Sequence, residues 1–248
     1  MSTPIDILDP ENPKRILFIA ANPATSSITG WPVGFWASEL THPYWEFTEH
    51  GYEVTIASPA GGKLEVDGFS HPQDESGYSA DDLISLGFLS SPKHAALLEN
   101  TPKIADIDLT DYDAVFVAGG QSPMFTMIDD GDLHAFLARA YESGKVLAVV
   151  CHGACTLLKT RLSNGELLVK RKTWTGFSDS EEAYVEGFVG QKVQPFWIET
   201  EAHKIADTNF IVQGDFKAHA VRDGNLITGQ QQSSGTAAAR LVIQALGV

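Results

Sequence analysis

An unbroken apolar run ends at a cysteine and a histidine near the middle of the chain. Residues 146–150 read Val-Leu-Ala-Val-Val, and Cys151 and His152 follow directly. The run is short, β-branched and without polar alternation, which is typical of a strand buried on both faces of a parallel sheet. Residues 153–159 then have the composition of a helix start. Cys151 is therefore predicted to occupy a tight strand-to-helix turn, a nucleophile elbow, at the carboxyl end of the sheet.

A cysteine in such a turn has two interpretations. The N–H groups and dipole of the following helix favour a thiolate, so we expect a lowered pKa and a nucleophilic role for Cys151. A free cysteine at an apolar strand end is also commonly an inert core residue. Cys155 lies one helical turn further on, a poor spacing for a disulfide. We expect Cys155 to be a core residue, with a resolving thiol as the alternative.

The charge balance excludes several classes of partner. The chain has 17 Lys and Arg against 32 Asp and Glu, a formal charge of -15, which repels nucleic acid and anionic membrane surfaces. Its amino terminus is acidic where a secretory signal would be basic, and no apolar run approaches the roughly 20 residues that cross a bilayer. With only two cysteines, a reducing compartment fits. We expect a cytoplasmic protein that binds neither nucleic acid nor membranes.

Strand and helix patterns alternate along the chain. Strands are predicted at 15–22, 52–58, 112–120, 146–150 and 172–177, with a hairpin at 218–229. Helices are predicted at 40–50, 81–86, 92–98, 130–142, 195–204 and 235–246, with another from a capping Ser180 and with Ser233 as the cap of the last. This alternation predicts one α/β domain over residues 1–248, built on a doubly wound, mostly parallel sheet with helices on both faces. The poorly periodic stretch 63–112 is predicted to be a lid or a site wall.

Several separated motifs resemble one known family. They are Gly34-Phe-Trp-Ala-Ser-Glu39, Ala118-Gly-Gly120, Ala148-Val-Val-Cys-His-Gly153, Thr175-Gly-Phe-Ser-Asp-Ser-Glu-Glu182 and Leu226-Ile-Thr-Gly-Gln230. In order and spacing they resemble the ThiJ/PfpI superfamily, and within it the branch of glutathione-independent glyoxalases (glyoxalase III) and heat-shock-chaperone-like proteins. The resemblance covers most of the chain and implies a flavodoxin-like fold.

The resemblance also implies roles for particular residues. Cys151 matches the family nucleophile, His152 its partner, Glu182 the acidic third member and Glu39 a buried glutamate that contacts the thiol. Each carboxylate has an alternative: Glu39 could be a surface residue at a helix start, and Glu181 could replace Glu182.

Two further features of the sequence concern the surroundings of the thiol. The backbone N–H groups near Gly119, Gly120 and His152 are expected to stabilise an oxyanion. His219 is expected to be structural or to line the pocket. Many relatives have Gly-Gly-His-Gly where this chain continues from Gly119-Gly120 into Gln121, a difference that bears on substrate selection.

Three functions are compatible with this sequence. The first is conversion of methylglyoxal or a related small 2-oxoaldehyde to D-lactate or a related 2-hydroxy acid, with His152 or Glu39 as the base that moves a proton through an enediol. The second is a stress-response holdase that binds unfolded chains, for which Trp31, Trp36 and Trp45 are the hint. The third is a Cys-His-Glu hydrolase. No cofactor or metal is expected, because the eight histidines lack ligand spacing, and the family habit implies a homodimer.

Overall fold

The computed structural model describes residues 13–247. In chain order its strands are β1 (Arg15–Ile19), β2 (Ala24–Thr25), β3 (Pro32–Val33), β4 (Glu53–Ala57), β5 (Ala114–Val117), β6 (Val146–Val150), β7 (Thr173–Trp174), β8 (Asn209–Phe210), β9 (Ala220–Asp223) and β10 (Leu226–Gly229). Its α-helices are α1 (Ala37–Glu49), α2 (Leu83–Ser90), α3 (Pro92–Ala95), α4 (Pro123–Thr126), α5 (Gly131–Glu142), α6 (Asp179–Val189), α7 (Ile198–Ala202) and α8 (Gly235–Leu246). Short 3-10 helices lie at Gly68–Ser70, Ala96–Leu98, Ile104–Asp106, Leu109–Asp111 and Gln232–Ser234, and a longer one spans Cys151–Leu158.

Within residues 13–247 the central sheet has six strands in the order β4-β1-β5-β6-β10-β9. All neighbours are parallel except β9 and β10, which form the predicted antiparallel hairpin at one edge. Leaving that edge strand aside, the order is the 2-1-3-4-5 arrangement of flavodoxin-like proteins. The predicted doubly wound, mostly parallel sheet is confirmed. Its central strands are apolar throughout because both faces are covered.

The helices cover both faces of this sheet. The chain moves from β1 to β4 in one direction along the sheet and from β5 to β6 in the other. Because parallel crossovers are right-handed, α1 and α5 lie on opposite faces. The last helix, α8, packs against α1 and against β6 and β10. The order of strands reverses beside β1, so the carboxyl ends of β1, β5 and β6 border the crevice where sheets of this kind bind ligands.

Some predicted boundaries are wrong in ways that affect the site. Helix α1 begins at Ala37 rather than at residue 40, which places Glu39 in its first turn and Pro43 further inside it. Helix α6 is capped by Ser178, not Ser180, through a capping box that Ser178 forms with Glu181. The first turns of these two helices carry the glutamates singled out by the sequence.

Other differences lie further along the chain. The predicted strand 172–177 shortens to β7, which pairs with β8 outside the central sheet. The predicted helix 195–204 shortens to α7. The last helix starts after Ser234, whose side chain makes no cap bond, so the prediction of a Ser233 cap is wrong. The helical segment after the elbow is wound as a 3-10 helix over Cys151–Leu158.

Candidate active site

The elbow at the end of β6 holds the thiol in a strained conformation. Cys151 has φ 56, in the left-handed region that non-glycine residues rarely adopt, and only 2% of its surface is exposed. Packing leaves no room for a side chain just after it, since a Cβ on Gly153 would lie 2.9 Å from the Ala118 carbonyl oxygen. The turn is therefore fixed by the close approach of the backbones that follow β5 and β6.

His152 links the thiol to a buried carboxylate. Its Nδ1 lies 3.6 Å from Cys151 Sγ, and its Nε2 lies 2.9 Å from Glu182 Oε1. The ring of Phe177 stacks on the imidazole with centroids 4.3 Å apart. A carboxylate on Nε2 favours the tautomer with its proton there, which leaves the Nδ1 lone pair toward the thiol. This geometry suits a general base that is oriented by an acid.

Glu182, rather than Glu181, is the carboxylate that contacts His152. The Glu181 side chain closes the capping box with Ser178 and accepts a hydrogen bond from the Phe216 N–H at 2.8 Å. Because α6 begins at Asp179, both glutamates lie in its first turn, and only Glu182 is directed at the imidazole. The structure thus brings Cys151, His152 and Glu182 together as the resemblance implied.

Glu39 reaches the thiol from the other side. Its Oε2 accepts a 2.7 Å hydrogen bond from the Gly119 N–H, and its carboxyl forms a hydrogen bond with the Cys151 side chain. Its Oε1 has no nitrogen or oxygen partner among the described residues. The residue is fully buried, so the alternative of a surface carboxylate at a helix start is wrong. Two carboxyl groups therefore serve this site, one on the thiol and one on the imidazole.

Burial changes the protonation of both members of the Glu39–Cys151 pair. It raises the pKa of Glu39 to about 8. Burial, and then the charge and hydrogen bond of Glu39, also raise the pKa of the Cys151 thiol well above its ordinary value, against the effect of the His152 N–H. The expectation of a lowered thiol pKa is therefore wrong. The helix start is present, but the thiol lies in an apolar enclosure beside an acid.

His152 and Glu182 form a coupled buried pair. Burial alone would lower the pKa of His152, but the Glu182 carboxylate outweighs it and the pKa is raised. Burial raises the pKa of Glu182, opposed by the charge and hydrogen bond of His152. The Glu182 carboxylate thus stabilises the imidazolium that forms when neutral His152 accepts the thiol proton.

The two glycines after β5 hold the site together by their lack of side chains. A Cβ on Gly119 would lie 2.7 Å from Glu39 Oε2, and one on Gly120, at φ 104, would lie 2.4 Å from the Trp36 backbone nitrogen. The Gly119 N–H already donates a hydrogen bond to Glu39. The prediction that this N–H stabilises an oxyanion is therefore wrong. Gly120 and His152 remain the candidates for that role.

Asp67 is a buried residue of the site that the sequence patterns did not predict. It is buried and accepts hydrogen bonds from the Gly34 N–H at 2.8 Å and the Gln121 N–H at 2.6 Å, which ties the loop before α1 to the loop after β5. Burial raises its pKa to about 6. Asp67 lies in the weakly periodic stretch 63–112, where no spacing distinguished it from other loop aspartates.

A cavity of about 240 Å³ opens above the thiol. The segment 63–112 contributes Phe69 and Tyr78 to its lining, and α6 contributes Tyr184 and Phe188. Most of the lining is apolar. The full set is Trp31, Trp36, Phe69, Tyr78, Gln121, Cys151, His152, Phe177, Glu182, Tyr184, Val185, Phe188, Val189, Val193, Gln194, Phe216 and Gln232.

Other candidate residues lie elsewhere. Cys155 is buried, its thiol donates to the Pro123 carbonyl at 3.4 Å, and burial raises its pKa above the ordinary range. His219 does not line the cavity, and burial lowers its pKa.

In residues 13–247 no cluster of three or more His, Cys, Asp or Glu side chains could hold a metal ion. None of the helices described in that range is long and apolar enough to span a membrane.

The fold and the site together define a class of protein. It is a flavodoxin-like α/β protein whose cysteine lies on an elbow between a histidine–glutamate pair and a second, buried glutamate. The chain belongs to the DJ-1/PfpI family, whose sequence model matches residues 32–245. The family resemblance seen in the motifs is confirmed.

Similar proteins include named enzymes. Glyoxalase 3 of Candida albicans is 29% identical over 234 residues, covering 94% of this chain and 98% of that protein. The glutathione-independent glyoxalase HSP31 of Saccharomyces cerevisiae is 28% identical over 226 residues, covering 88% of this chain and 91% of its own. Among solved structures, the Rapid Encystment Protein 24 KDa (REP24) of Francisella tularensis has a TM-score of 0.83 at 26% identity, covering 95% of this chain and 100% of that one.

Proposed function

We propose that this protein is a glutathione-independent glyoxalase that converts methylglyoxal and related 2-oxoaldehydes to D-lactate and related 2-hydroxy acids. The observation that carries the proposal is the buried Glu39 carboxyl, hydrogen-bonded to the Cys151 side chain and with its pKa raised to about 8 by burial. Aldehyde isomerisation needs a second proton-transferring group at the thiol, whereas triad hydrolysis does not. The names of the two relatives agree with this assignment.

The first step is addition of the thiol to the aldehyde. Cys151 Sγ attacks the aldehyde carbon, His152 Nδ1 takes the thiol proton from 3.6 Å away, and the Glu182 carboxylate stabilises the imidazolium. Because the resting thiol is protonated, transfer to His152 accompanies the attack. The developing oxyanion accepts hydrogen bonds from the backbone N–H groups of Gly120 and His152 and takes up a proton to complete the hemithioacetal.

The second step is an internal redox exchange between two carbons. Glu39 in its ionised form removes the proton from the former aldehyde carbon, an enediol forms, and the proton is returned to the neighbouring carbon. The first carbon is oxidised and the second reduced, so no external oxidant or reductant is required. A carboxyl with a pKa of about 8 accepts and returns a proton near neutral pH at small free-energy cost.

The last step releases the product. The intermediate is now a thioester of the 2-hydroxy acid, and water, activated by His152, attacks its carbonyl carbon. The carbon–sulfur bond breaks, the acid leaves, and the thiol regains its proton. The sum of the steps is the 2-oxoaldehyde plus one water giving one 2-hydroxy acid.

A cysteine hydrolase is the second candidate, because the geometry of Cys151, His152 and Glu182 alone would serve it. Two of the tryptophans that had suggested a holdase, Trp31 and Trp36, line the cavity instead. A stress role, binding of unfolded chains and the homodimer stay proposals. Light scattering tests the homodimer, which predicts twice the 26.8 kDa mass of one chain.

The deciding experiment incubates the purified protein with methylglyoxal and measures the concentrations of the aldehyde and of D-lactate over time. We expect loss of the aldehyde with matching appearance of D-lactate and no added glutathione, and neither in a Cys151→Ala variant. The Cys155→Ala variant is the matched control and should keep the activity, because Cys155 lies outside the cavity. Loss of methylglyoxal without lactate, or at equal rate in the Cys151→Ala variant, would contradict the proposal.

A further inference from the structure

The cavity above Cys151 is larger than methylglyoxal requires. Its volume is about 240 Å³. An apolar protein cavity of about 150 Å³ is enough to hold benzene. A site of this size therefore has room for a 2-oxoaldehyde group at the thiol together with a substituent as large as an aromatic ring.

The walls that surround this extra space are aromatic. Tyr184 and Phe188 lie four residues apart on α6, so they share one face of the helix, and both line the cavity. Tyr184 makes an edge contact with Phe216, with ring centroids 5.2 Å apart. On another wall Trp36 and Tyr78 make a similar contact at 5.9 Å. Flat apolar groups pack well between rings in such arrangements.

Two of these side chains are more exposed than apolar residues usually are. Tyr184 is 60% and Phe188 is 71% exposed, although they adjoin a cavity that contains a reactive thiol. An apolar ligand in the cavity would remove part of this surface from water, which favours binding in proportion to the area covered.

The charge of the lining restricts the substituent further. Its ionisable residues are Cys151, His152, Glu182 and the tyrosines 78 and 184, and no Lys or Arg occurs along this cavity in the described part of the chain. A negatively charged substituent would enter an apolar space without a cation to pair with, at a large desolvation cost. An uncharged substituent meets no such penalty.

We propose that the cavity selects uncharged 2-oxoaldehydes that carry an apolar substituent of about aromatic-ring size, with Tyr184 and Phe188 as the residues that determine this preference. The inference rests on the proposed glyoxalase function and specifies its substrate class. The chemistry is unchanged: phenylglyoxal plus one water gives mandelic acid through the same thiol adduct, proton shift and thioester hydrolysis.

The test compares phenylglyoxal with methylglyoxal in three proteins. For the parent protein we expect kcat/KM for phenylglyoxal to exceed that for methylglyoxal, with mandelic acid as the product. Phe188→Ser should lower kcat/KM for phenylglyoxal by about 5- to 30-fold, the factor that one lost apolar contact produces, and lower that for methylglyoxal much less. Leu83→Ser is the matched control, because Leu83 is 73% exposed on α2 and outside the cavity.

The outcomes separate the two proposals. If methylglyoxal is consumed in a Cys151-dependent reaction but phenylglyoxal is no better, or if Phe188→Ser lowers both aldehydes equally, the substrate preference is overturned and the glyoxalase function stands. If neither aldehyde is converted to its hydroxy acid, both are overturned. An equal loss in Phe188→Ser and Leu83→Ser would count as general destabilisation and also overturn the role of Phe188.

Discussion

Glu39 and Cys151 share one buried contact, and each residue affects the proton of the other. Ionised Glu39 adds a negative charge beside the thiol and so raises its pKa; protonated Glu39 adds none. At neutral pH most of the Glu39 carboxyl is protonated, because its pKa lies at about 8. The resting site is thus nearly neutral on this side, and the ionised carboxylate that acts as a base is a minor form whose population grows with pH.

The Glu39→Gln variant tests this role. The amide keeps the size and hydrogen bonding of the side chain but cannot accept the substrate proton. Turnover of methylglyoxal should fall by a factor of about 10²–10⁴. In the parent protein, activity should rise as pH increases toward about 8, where Glu39 ionises, and this rise should be absent from the residual activity of the variant. A folded Glu39→Gln protein with parental turnover would make Glu39 structural and favour the hydrolase alternative.

The two cysteines should differ in reactivity. Cys151 lines the cavity, whereas Cys155 lies in the core with its thiol on the Pro123 carbonyl. Iodoacetamide should therefore label Cys151 first, as located by mass spectrometry. Because burial and Glu39 raise the pKa of Cys151, the labelling rate should keep increasing above pH 8.5, about the ordinary value for a thiol. A midpoint well below that value would mean that the helix N-terminus outweighs burial.

Individual residues were predictable where a pattern surrounded them. The apolar run before Cys151 indicated the elbow, and the family motifs indicated His152, Glu182 and Glu39. The direction of the thiol pKa was not predicted, because it depends first on how deeply the folded chain buries Cys151 and then on the charge of Glu39 beside it. Asp67 was missed for the same reason: its two N–H partners come from loops distant in the sequence, and only the folded backbone brings them to it.

Among the elements, α6 has the most direct effect on the site. It carries Glu182 in its first turn and Tyr184 and Phe188 along its cavity face. The start of α6 is fixed by the capping box of Ser178 and Glu181. The Glu181 side chain also accepts a hydrogen bond from the Phe216 N–H. A change at the cap should therefore affect stability and catalysis together.

The Ser178→Ala variant tests that coupling. Loss of the cap should lower the free energy of unfolding by about 1 kcal/mol, measured as a reduced urea midpoint at unchanged slope. Turnover should fall several-fold, because Glu182 is less well placed against His152. Ser90→Ala is the control: Ser90 is exposed at the end of α2, away from the cap of α6, so this substitution should change the free energy of unfolding by less than about 0.5 kcal/mol. Equal effects of the two substitutions would argue against the Ser178 cap.

Elements with strong periodicity were predicted well, and those set by tertiary packing were not. The buried strands and α5 follow from apolar patterns that one sequence window contains. The pattern at 172–177 is strand-like, but only β7 finds a partner there, and the partner is β8 rather than the central sheet. Helix α1 begins three residues before the predicted start at residue 40, so that Pro43 lies in its second turn, a position that local propensity disfavours.

At the scale of the whole molecule, the buried carboxyls connect the site to global stability. Burial raises the pKa of Glu39 from 4.5 to about 8, so the folded state binds a proton that the unfolded state releases between those pH values. This contribution is fully present below about pH 4.5 and is lost as pH rises through about 8. The buried Glu39 carboxyl therefore lowers the free energy of unfolding as the pH rises toward neutral and above.

The Glu39→Gln variant should reveal this cost, because glutamine has no proton to lose. From about pH 5 to pH 8 the free energy of unfolding of the parent protein should fall relative to the variant, by at most about 1.4 kcal/mol per pH unit. Asp67, whose pKa burial raises to about 6, titrates in both proteins and largely cancels in the difference. Urea unfolding of both proteins at several pH values gives the two curves. If they run parallel, Glu39 titrates alike in the folded and unfolded states, and the buried, proton-holding carboxyl on which the mechanism depends is absent.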